Sequence, residues 1–447
     1  MAAKGKNRIV TLLATAVTAL SLAGSMLVGA NHEGEVYADI KSFFTSADPN
    51  EVFYNEATRT KINYEVEPKT ESVPEPAEQV TKEEFDSIND AYVSEYFLDY
   101  LRPGEQKVYH QLYKGIYEFT KNIPIDSNVL KQEDVGDFIV LFTSSNPYVN
   151  YIDASYTISL NQKGYVTAVN VEYSLTKETA DAQRKELDRK IDTILEGIKP
   201  SMTEYEKVKY LHDYIVTNCT YDDNSSQPYS AYGCLVQGRC VCEGYTKAML
   251  ALCDRAGINA IPVVGQAGET GKGQGHIWNK IMIDKKWYDF DVTWDDPVGD
   301  MGVSYVRYDY FGLSDKQFER NHAPDENRYM TYPSANSDDA DYFVVNGLVC
   351  DDAEAAQQTF EKAIELAMKN NEDLARIRCT DKDSYKHSVD DLFEAKNGTT
   401  NMFTVLNKVL NKKGAEPVSK YSMICNDEAY TITVRFETSD EKSTEKK

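Results

Sequence analysis

Apolar side chains recur along this chain at two spacings, and the changes between them divide it into predicted elements. From residue 82 to residue 121 the spacing is helical, with an interruption at Pro103 and Gly104. Alternation every second residue then predicts strands, two of which a turn at residues 162–164 would join into a hairpin. A stripe from Leu187 to Ile198 predicts a long helix. The strands are expected around Phe138–Phe142, Tyr151–Leu160 and Tyr165–Ser174.

The middle of the chain alternates helices and strands. Thr203 and Glu206 form a capping-box pattern at the start of a helix. A second helix is expected from about Cys242 to Ala256, because Gly257 stands where a helix C-terminal cap belongs. After it come a strand from His276 through Ile283, a turn at Asp284-Lys285, and an antiparallel return over Trp287–Thr293.

After residue 341 the pattern predicts a small module with a strand, a helix, a strand, one or two helices and a final hairpin. The bounded elements are Tyr342–Val349, Ala353–Lys369, Leu374–Cys379 and Ser419–Phe436. The chain is therefore expected to be α+β. Its predicted parts are an acidic Pro- and Glu-rich linker (39–84), an accessory α+β module (85–199), a core (200–335), a C-terminal α/β module (340–437) and a charged tail (438–447).

The first residues indicate export. Three basic residues precede an apolar stretch from Ile9 to Ala30, and Val36-Tyr37-Ala38 follows before Asp39. This pattern is typical of a signal peptide over residues 1–38 with cleavage after Ala38 or, as a second choice, after Ala30. The stretch is also long enough to span a bilayer, so an uncleaved anchor stays an alternative. Either interpretation places the rest of the chain outside the cytoplasm.

Net charge narrows the classes of partner. The formal net charge is −24, from 48 basic and 72 acidic residues. Nucleic-acid affinity depends on clustered Lys and Arg, so a nucleic-acid partner is not expected. A membrane contact is expected only through the N-terminal segment. The chain has eight cysteines, none of them before Cys219, and their crowding between Cys219 and Cys253 favours chemistry over a disulfide scaffold.

One of these cysteines stands where a reactive thiol is expected. Cys242 begins its predicted helix, where free backbone N–H groups and the helix dipole lower a thiol pKa. Cys253 points into the packed face of the same helix and is expected to be an inert thiol. A thiolate nucleophile needs a base, and the base needs a group that orients it.

The predicted hairpin supplies both groups. With a two-residue turn, Ile283 pairs with Lys286 and His276 lies opposite Thr293. Asp291 is then a diagonal neighbour of His276 on the same face. Asp289 and Asp295 satisfy the same parity, but distance favours Asp291.

Several motifs in this segment resemble the transglutaminase-like superfamily, in particular its secreted bacterial branch. They are CEGY at 242–245, GINA at 257–260, GHIWN at 275–279 and WYDFDVTWDDP at 287–297. The resemblance covers roughly residues 200–325. It implies a papain-like core in which Cys242 is the nucleophile, His276 the general base and Asp291 the orienting carboxylate. Val241 and Glu243 flank Cys242 in place of the Gly-x-Cys-Trp motif of animal crosslinking transglutaminases, which argues against calcium-dependent crosslinking.

The function expected from this resemblance is acyl transfer from peptide or glutamine amides through a cysteine thioester, with neither metal nor cofactor. Water as acceptor makes a protease or amidase, and an amine makes a crosslinking enzyme. The backbone N–H of Cys242 is expected to hold the oxyanion. Further oxyanion or substrate-binding candidates are Tyr232, Gln237, Gly244 and Trp278.

Two other classes compete with this interpretation. Cys234, Cys240, Cys242 and His276 could bind zinc, although CxC spacing is unusual for structural zinc. The fold could also serve as a non-catalytic cell-envelope binding or scaffolding protein. Cys234 and Cys240 could alternatively form a disulfide. His212 is expected to be structural, and His110, His322 and His387 show no partner pattern.

Overall fold

The computed structural model describes residues 95–268, 273–296, 305–394, 400–418 and 420–436, together with four short strands nearer the N-terminus. The helices are α1 Glu95–Leu98, α2 Pro103–Tyr117, α3 Val135–Ser145, α4 Lys177–Leu195, α5 Glu204–Asn218, α6 Cys242–Arg255, α7 Asp315–Phe318, α8 Tyr342–Val345, α9 Ala353–Asn370, α10 Lys382–Phe393 and α11 Asn401–Lys413. The strands are β1 Ala14–Thr15, β2 Gly29–Ala30, β3 Glu35–Ala38, β4 Thr60–Asn63, β5 Asn122–Pro124, β6 Ile152–Leu160, β7 Val166–Tyr173, β8 Thr220–Tyr221, β9 Arg239–Cys240, β10 Ala260–Ala267, β11 Gln274–Ile283, β12 Lys286–Phe290, β13 Phe311–Leu313, β14 His322–Pro324, β15 Val349–Cys350, β16 Leu374–Cys379, β17 Tyr421–Asn426 and β18 Thr431–Phe436.

This mixture of helices and strands confirms the α+β class. Apart from β1 to β4, the predicted signal segment and acidic linker lie outside the described residues, and so does the charged tail. None of the described helices combines the length and the hydropathy needed to cross a membrane.

The residues before α4 form a small sheet that contains β6, β7 and β5 in that order, with α2 and α3 beside it. Gly164, at φ 79°, closes the predicted β6–β7 hairpin. The strand predicted at Phe138–Phe142 is wrong, because these residues lie in α3. Helix α3 is buried between the small sheet and Ile261 and Val264 of β10. A short apolar run does not distinguish a strand buried on both faces from a buried helix.

The core sheet has five strands in the order β13-β12-β11-β10-β14, and all neighbouring pairs are antiparallel. The predicted turn between β11 and β12 is confirmed: Asp284 and Lys285 both have positive φ, 49° and 66°, and Ile283 pairs with Lys286. Strand β12 ends at Phe290 rather than Thr293, because the register with β13 shifts between Asp289 and Phe290.

Helices α5 and α6 pack together, and α6 lies against β10 and β11. The capping box that begins α5 is confirmed. The Glu206 backbone N–H donates to Thr203 Oγ1 (3.2 Å), and the Thr203 N–H donates to the Glu206 carboxylate (2.8 Å). Such a cap satisfies two of the free backbone donors at a helix N-terminus.

The C-terminal sheet has the order β15-β16-β18-β17. The strand predicted over Tyr342–Val349 is wrong in its first part, which forms helix α8. The Asp341 carboxylate accepts a hydrogen bond from the Phe343 N–H (2.8 Å) and so caps α8. The ring of Tyr342 stacks on Tyr308 with centroids 3.9 Å apart.

Two clusters of buried apolar side chains join these parts. One runs from α4, α5 and α6 into the C-terminal module and includes Tyr245. The other joins the accessory module to β10 and β11 and includes Val241 and Cys242. The first residues of α6 therefore lie where the two apolar cores meet.

Candidate active site

The thiol of Cys242 lies at the first position of α6, and only 1% of the residue is exposed. Burial raises the pKa of this thiol well above its ordinary value, and Asp291 and Glu243 raise it further. Backbone hydrogen bonds from Glu243 and Ile277 act in the opposite direction. The expectation that the helix N-terminus would lower the pKa is wrong, because burial outweighs it. The thiol at this position therefore needs a neighbouring base that takes its proton before it can act as a nucleophile.

Helix α6 is held against β11 immediately beyond His276. Thr246 Oγ1 donates to the Ile277 carbonyl (3.0 Å), and Asn279 Nδ2 donates to the Thr246 carbonyl (3.2 Å). Thr246 is one helical turn after Cys242, so both side chains face the same strand. These bonds place the start of α6 beside His276, in agreement with the contact between Cys242 and the Ile277 backbone.

His276 and Asp291 are brought together by the β11–β12 hairpin. His276 Nε2 lies 2.6 Å from Asp291 Oδ2. The other oxygen of Asp291 accepts the backbone N–H groups of Thr293 (3.0 Å) and Trp294 (3.1 Å). Burial by itself would raise the pKa of Asp291, but His276 and His322 outweigh burial and lower it. Asp291 is therefore held as a carboxylate beside the imidazole.

The two other aspartates allowed by parity are bound elsewhere. Asp289 accepts from Lys280 Nζ (2.7 Å) and from Trp278 Nε1 (3.1 Å). Asp295 contacts His212 Nε2 (3.1 Å) and accepts the Tyr310 N–H (3.0 Å). The structure therefore pairs Asp291, and neither of these two, with His276.

The remaining predicted site residues have other partners. The Tyr232 hydroxyl donates to Glu186 (2.8 Å), and Gln237 Oε1 accepts from Ser226 (3.1 Å). Trp278 is buried with its indole nitrogen on Asp289, and its ring lies 6.2 Å from the His276 ring.

Gly244 has a packing role. A Cβ at this position would come within 2.4 Å of Cys240 Cβ and 2.8 Å of the Pro228 carbonyl oxygen. The absence of a side chain therefore allows the first turn of α6 to lie against Cys240 and Pro228.

A second histidine, missed by the sequence analysis, contacts Asp291. His322 Nε2 lies 3.0 Å from Oδ2, the same oxygen that His276 contacts. His322 is fully buried, and burial lowers its pKa to about 4, so the ring is neutral at neutral pH. It reaches the site because β14 pairs with β10, with His322 opposite Ala267. No local spacing reveals this contact, since a sheet neighbour distant in sequence creates it.

Two groups of side chains in the described residues have the geometry to hold a metal ion. His276, Asp291 and His322 form one, and Cys219, Cys234 and Cys240 form the other. The four zinc ligands considered from sequence are therefore not brought together: His276 belongs to the first group, Cys234 and Cys240 belong to the second, and Cys242 belongs to neither. The suggested Cys234–Cys240 disulfide is not formed, and all eight cysteines are free thiols.

Comparison with known proteins gives a family for this part of the chain. Residues 192–292 match the model of the transglutaminase-like superfamily. The resemblance drawn from the motifs is therefore confirmed for a stretch that contains Cys242, His276 and Asp291. No curated protein matches the chain.

Similar solved structures include a TGase, with 19% identity, a TM-score of 0.23 and coverage of 32% of this chain and 44% of that one. A candidate cysteine protease from Cytophaga hutchinsonii is 20% identical, with a TM-score of 0.22 and coverage of 31% and 52%. Menin, in a structure that reveals the binding site for the Mixed Lineage Leukemia protein, is 13% identical, with a TM-score of 0.22 and coverage of 76% and 63%. This chain spans about half the length of the first two. At these TM-scores nothing about its activity follows from them.

Proposed function

Residues 192–292 belong to the transglutaminase-like superfamily, and from this premise we propose that the chain is a thiol enzyme that transfers acyl groups from amides. Cys242 is the nucleophile, His276 the general base and acid, and Asp291 the carboxylate that orients His276. The observation that carries the proposal is the 2.6 Å contact between His276 and Asp291, next to the strand position where α6 presents Cys242.

The first half of the reaction forms a thioester. His276 takes the thiol proton as the Cys242 sulfur attacks the amide carbonyl carbon, and the backbone N–H of Cys242 faces the oxyanion. The C–N bond then breaks, and His276 returns the proton to the departing nitrogen. Because burial disfavours a free thiolate here, this proton transfer is the main task of His276. Asp291 stabilises the imidazolium that forms in between.

The second half releases the acyl group. His276 removes a proton from water or from an amine, the acceptor attacks the thioester carbonyl, and the sulfur leaves and recovers the proton. Hydrolysis makes the enzyme a peptidase or amidase, and aminolysis makes it a crosslinking enzyme. The substrate is a protein or peptide in both cases, and the signal-like N-terminus supports an exported enzyme that acts at or beyond the cell envelope.

Incubation of the purified chain with peptides that contain glutamine and lysine, followed by mass spectrometry, tests this proposal. Crosslinked, deamidated or cleaved peptides would support acyl transfer and would identify the acceptor. Cys242→Ala should abolish product formation and labelling by thiol reagents at this site. Cys253→Ala is the matched control, since Cys253 is a buried thiol on the same helix that the mechanism does not use.

Product formation by a folded Cys242→Ala variant would contradict the catalytic assignment. A wild-type chain that makes no product and leaves Cys242 unlabelled would favour a non-catalytic envelope-binding protein. The near-complete burial of Cys242 is the observation that favours this second function.

A further inference from the structure

Three cysteines that the proposed reaction does not use converge below the first turn of α6. Cys219 is the C-terminal cap of α5, Cys234 lies in the wide turn at Gly233–Gln237, and Cys240 ends β9. Their sulfur atoms all lie within 4.8 Å of one another, and the Cys219 and Cys240 sulfurs are 3.4 Å apart. All three residues are buried.

The backbone brings these residues together. Strands β8 and β9 are parallel, with Thr220 opposite Arg239 and Tyr221 opposite Cys240, so Cys219, one residue before β8, lies beside the start of the two-residue strand β9. The wide turn then places Cys234 near both. Gly233 allows the wide turn to pack against the Gln227 backbone, since a Cβ there would lie 2.1 Å from the Gln227 carbonyl oxygen.

The distances between the sulfur atoms suit a metal better than a bond between two of the sulfurs. A disulfide needs its sulfurs at about 2.05 Å, whereas the Cys219 and Cys240 sulfurs are 3.4 Å apart. In a tetrahedral thiolate site, metal–sulfur bonds of about 2.3 Å put neighbouring sulfurs at roughly 3.8 Å. This value lies between the 3.4 Å that separates the Cys219 and Cys240 sulfurs and the 4.8 Å within which all three sulfurs lie.

The surroundings also favour metal ligands. All three cysteines are free, buried thiols. The phenol of Tyr245 lies beside Cys219, and its hydroxyl donates to buried Asp296. A thiophilic cation would balance the negative charge that builds up when the three thiols ionise.

We propose that Cys219, Cys234 and Cys240 form a three-thiolate site for a thiophilic d¹⁰ cation, Zn²⁺ or Cu⁺, separate from the Cys242 site. Three sulfur–metal bonds form, the protons of the ionising thiols go to solvent, and no electrons are transferred. The ion joins the end of α5, the wide turn and β9. It thereby holds the segment between residues 219 and 240, which leads into Cys242 at the start of α6.

The decisive experiment uses the full chain, reduced and freed of metal. Titration with Zn²⁺, with Cu⁺ under anaerobic conditions and with Co²⁺ as an optical probe should each saturate at one ion per chain. Co²⁺ should show sulfur-to-metal charge-transfer absorption. That absorption distinguishes the cysteine cluster from the His276–Asp291–His322 group, which has no sulfur ligand.

Matched variants make the assignment specific. Cys234→Ser and Cys219→Ser should each weaken binding by about 100-fold or more, since even outer-shell changes at metal sites cost about 10–100-fold. Cys253→Ser is the control and should bind as the wild type does. Circular dichroism checks folding, and Zn²⁺ should raise the melting temperature of the wild type and of Cys253→Ser but not of Cys234→Ser.

Three results would overturn the proposal. One is a reduced wild-type chain that binds no ion with sulfur-to-metal absorption. Another is a folded Cys234→Ser variant that binds as tightly as the wild type. A third is a Cys219–Cys240 disulfide found by mass spectrometry in a chain whose reduced form binds no ion. None of these depends on whether Cys242 catalyses acyl transfer.

Discussion

His212 and His276 each contact a buried aspartate, and they differ in what the second ring nitrogen contacts. Both nitrogens of His212 lie 3.1 Å from carboxylate oxygens, Nδ1 from Asp213 and Nε2 from Asp295. In His276, Nε2 contacts Asp291, and among the described residues no carboxylate contacts the other nitrogen. A histidine clamped at both nitrogens has no position at which to accept a proton from a third group. His212 therefore suits a structural role and His276 suits proton transfer.

The two histidine–aspartate contacts also differ in their burial and in the pKa of the aspartate. His212 and Asp295 are fully buried, whereas 7% of His276 is exposed. Burial raises the pKa of Asp295 to about 6 even beside His212, and the pKa of His212 is raised because Asp213 and Asp295 outweigh the effect of burial on it. The pKa of Asp291 is lowered instead, because two histidines contact it and backbone N–H groups bind its other oxygen. The surroundings of the two histidine–aspartate contacts therefore shift the aspartate pKa in opposite directions, upward for Asp295 and downward for Asp291.

The largest expected effect is on turnover. His276→Ala should reduce kcat by about 10²-fold to 10⁴-fold, the range for general acid–base catalysis. Its free energy of unfolding should fall less than that of His212→Ala, because His322 and two backbone N–H groups still bind Asp291. Steady-state kinetics on the peptide identified by mass spectrometry measures kcat. His212→Ala is the matched control and should retain turnover when folded. Equal losses of turnover in His276→Ala and His212→Ala would contradict the assignment of proton transfer to His276 and of a structural role to His212.

The second-largest expected effect is a loss of stability when His212, the partner of Asp295, is replaced. His212→Ala leaves Asp295 buried without its ionic partner, and breaking a buried pair costs about 3–5 kcal/mol. Urea unfolding followed by circular dichroism should therefore show a lower free energy of unfolding for His212→Ala than for His276→Ala. If His276→Ala is the less stable variant, the structural role assigned to His212 is wrong.

The two aspartates should respond to pH with opposite slopes. The folded pKa of Asp295, about 6, is above its ordinary 3.8, so its contribution to stability falls as pH rises between these values. The folded pKa of Asp291 is below 3.8, so its contribution is present above that pH and is lost as pH falls further. Asp295→Asn and Asp291→Asn should remove these two dependences. For Asp295 the difference between pKa 3.8 and about 6 corresponds to about 3 kcal/mol.

Urea unfolding of both variants and the wild type from pH 2 to pH 7 gives the comparison. The difference between wild type and Asp295→Asn should change mainly between pH 4 and pH 6, and that for Asp291→Asn mainly below pH 4. Parallel curves for the two variants would show that the two carboxylates have similar environments.

The smallest expected effect concerns His322. As a neutral ring it can donate a hydrogen bond to Asp291 without a charge, so it positions the carboxylate. His322→Phe should lower kcat by about tenfold, the lower range for groups that orient a functional ligand, with KM little changed. His322→Gln, which keeps a donor, should recover part of the loss. Equal kcat values in the two variants would leave His322 with a packing role only.

Prediction from the sequence succeeded for elements that depend on residues close together in the chain. The helix cap at Thr203, the start of α6 at Cys242 and the two-residue turn at Asp284-Lys285 are all read from residues close in sequence. The side-chain period of two in a strand then relates Asp291 to His276 across the hairpin. It failed at Phe138–Phe142, where burial on all sides erased the periodic signal, and at Tyr342, where the Asp341 cap begins a helix.

By itself, the sequence determined the family of the core, the helix that presents Cys242 and the hairpin that joins His276 to Asp291, because each depends on contacts within a few residues or across one tight turn. Only the tertiary structure decided that His322 reaches Asp291, that His212 is held at both nitrogens and that Cys219 joins Cys234 and Cys240. These contacts depend on which distant elements become neighbours, such as β14 beside β10 and the end of α5 beside β9. The order of strands and the packing of helices settle such neighbours, and no spacing along the chain encodes them.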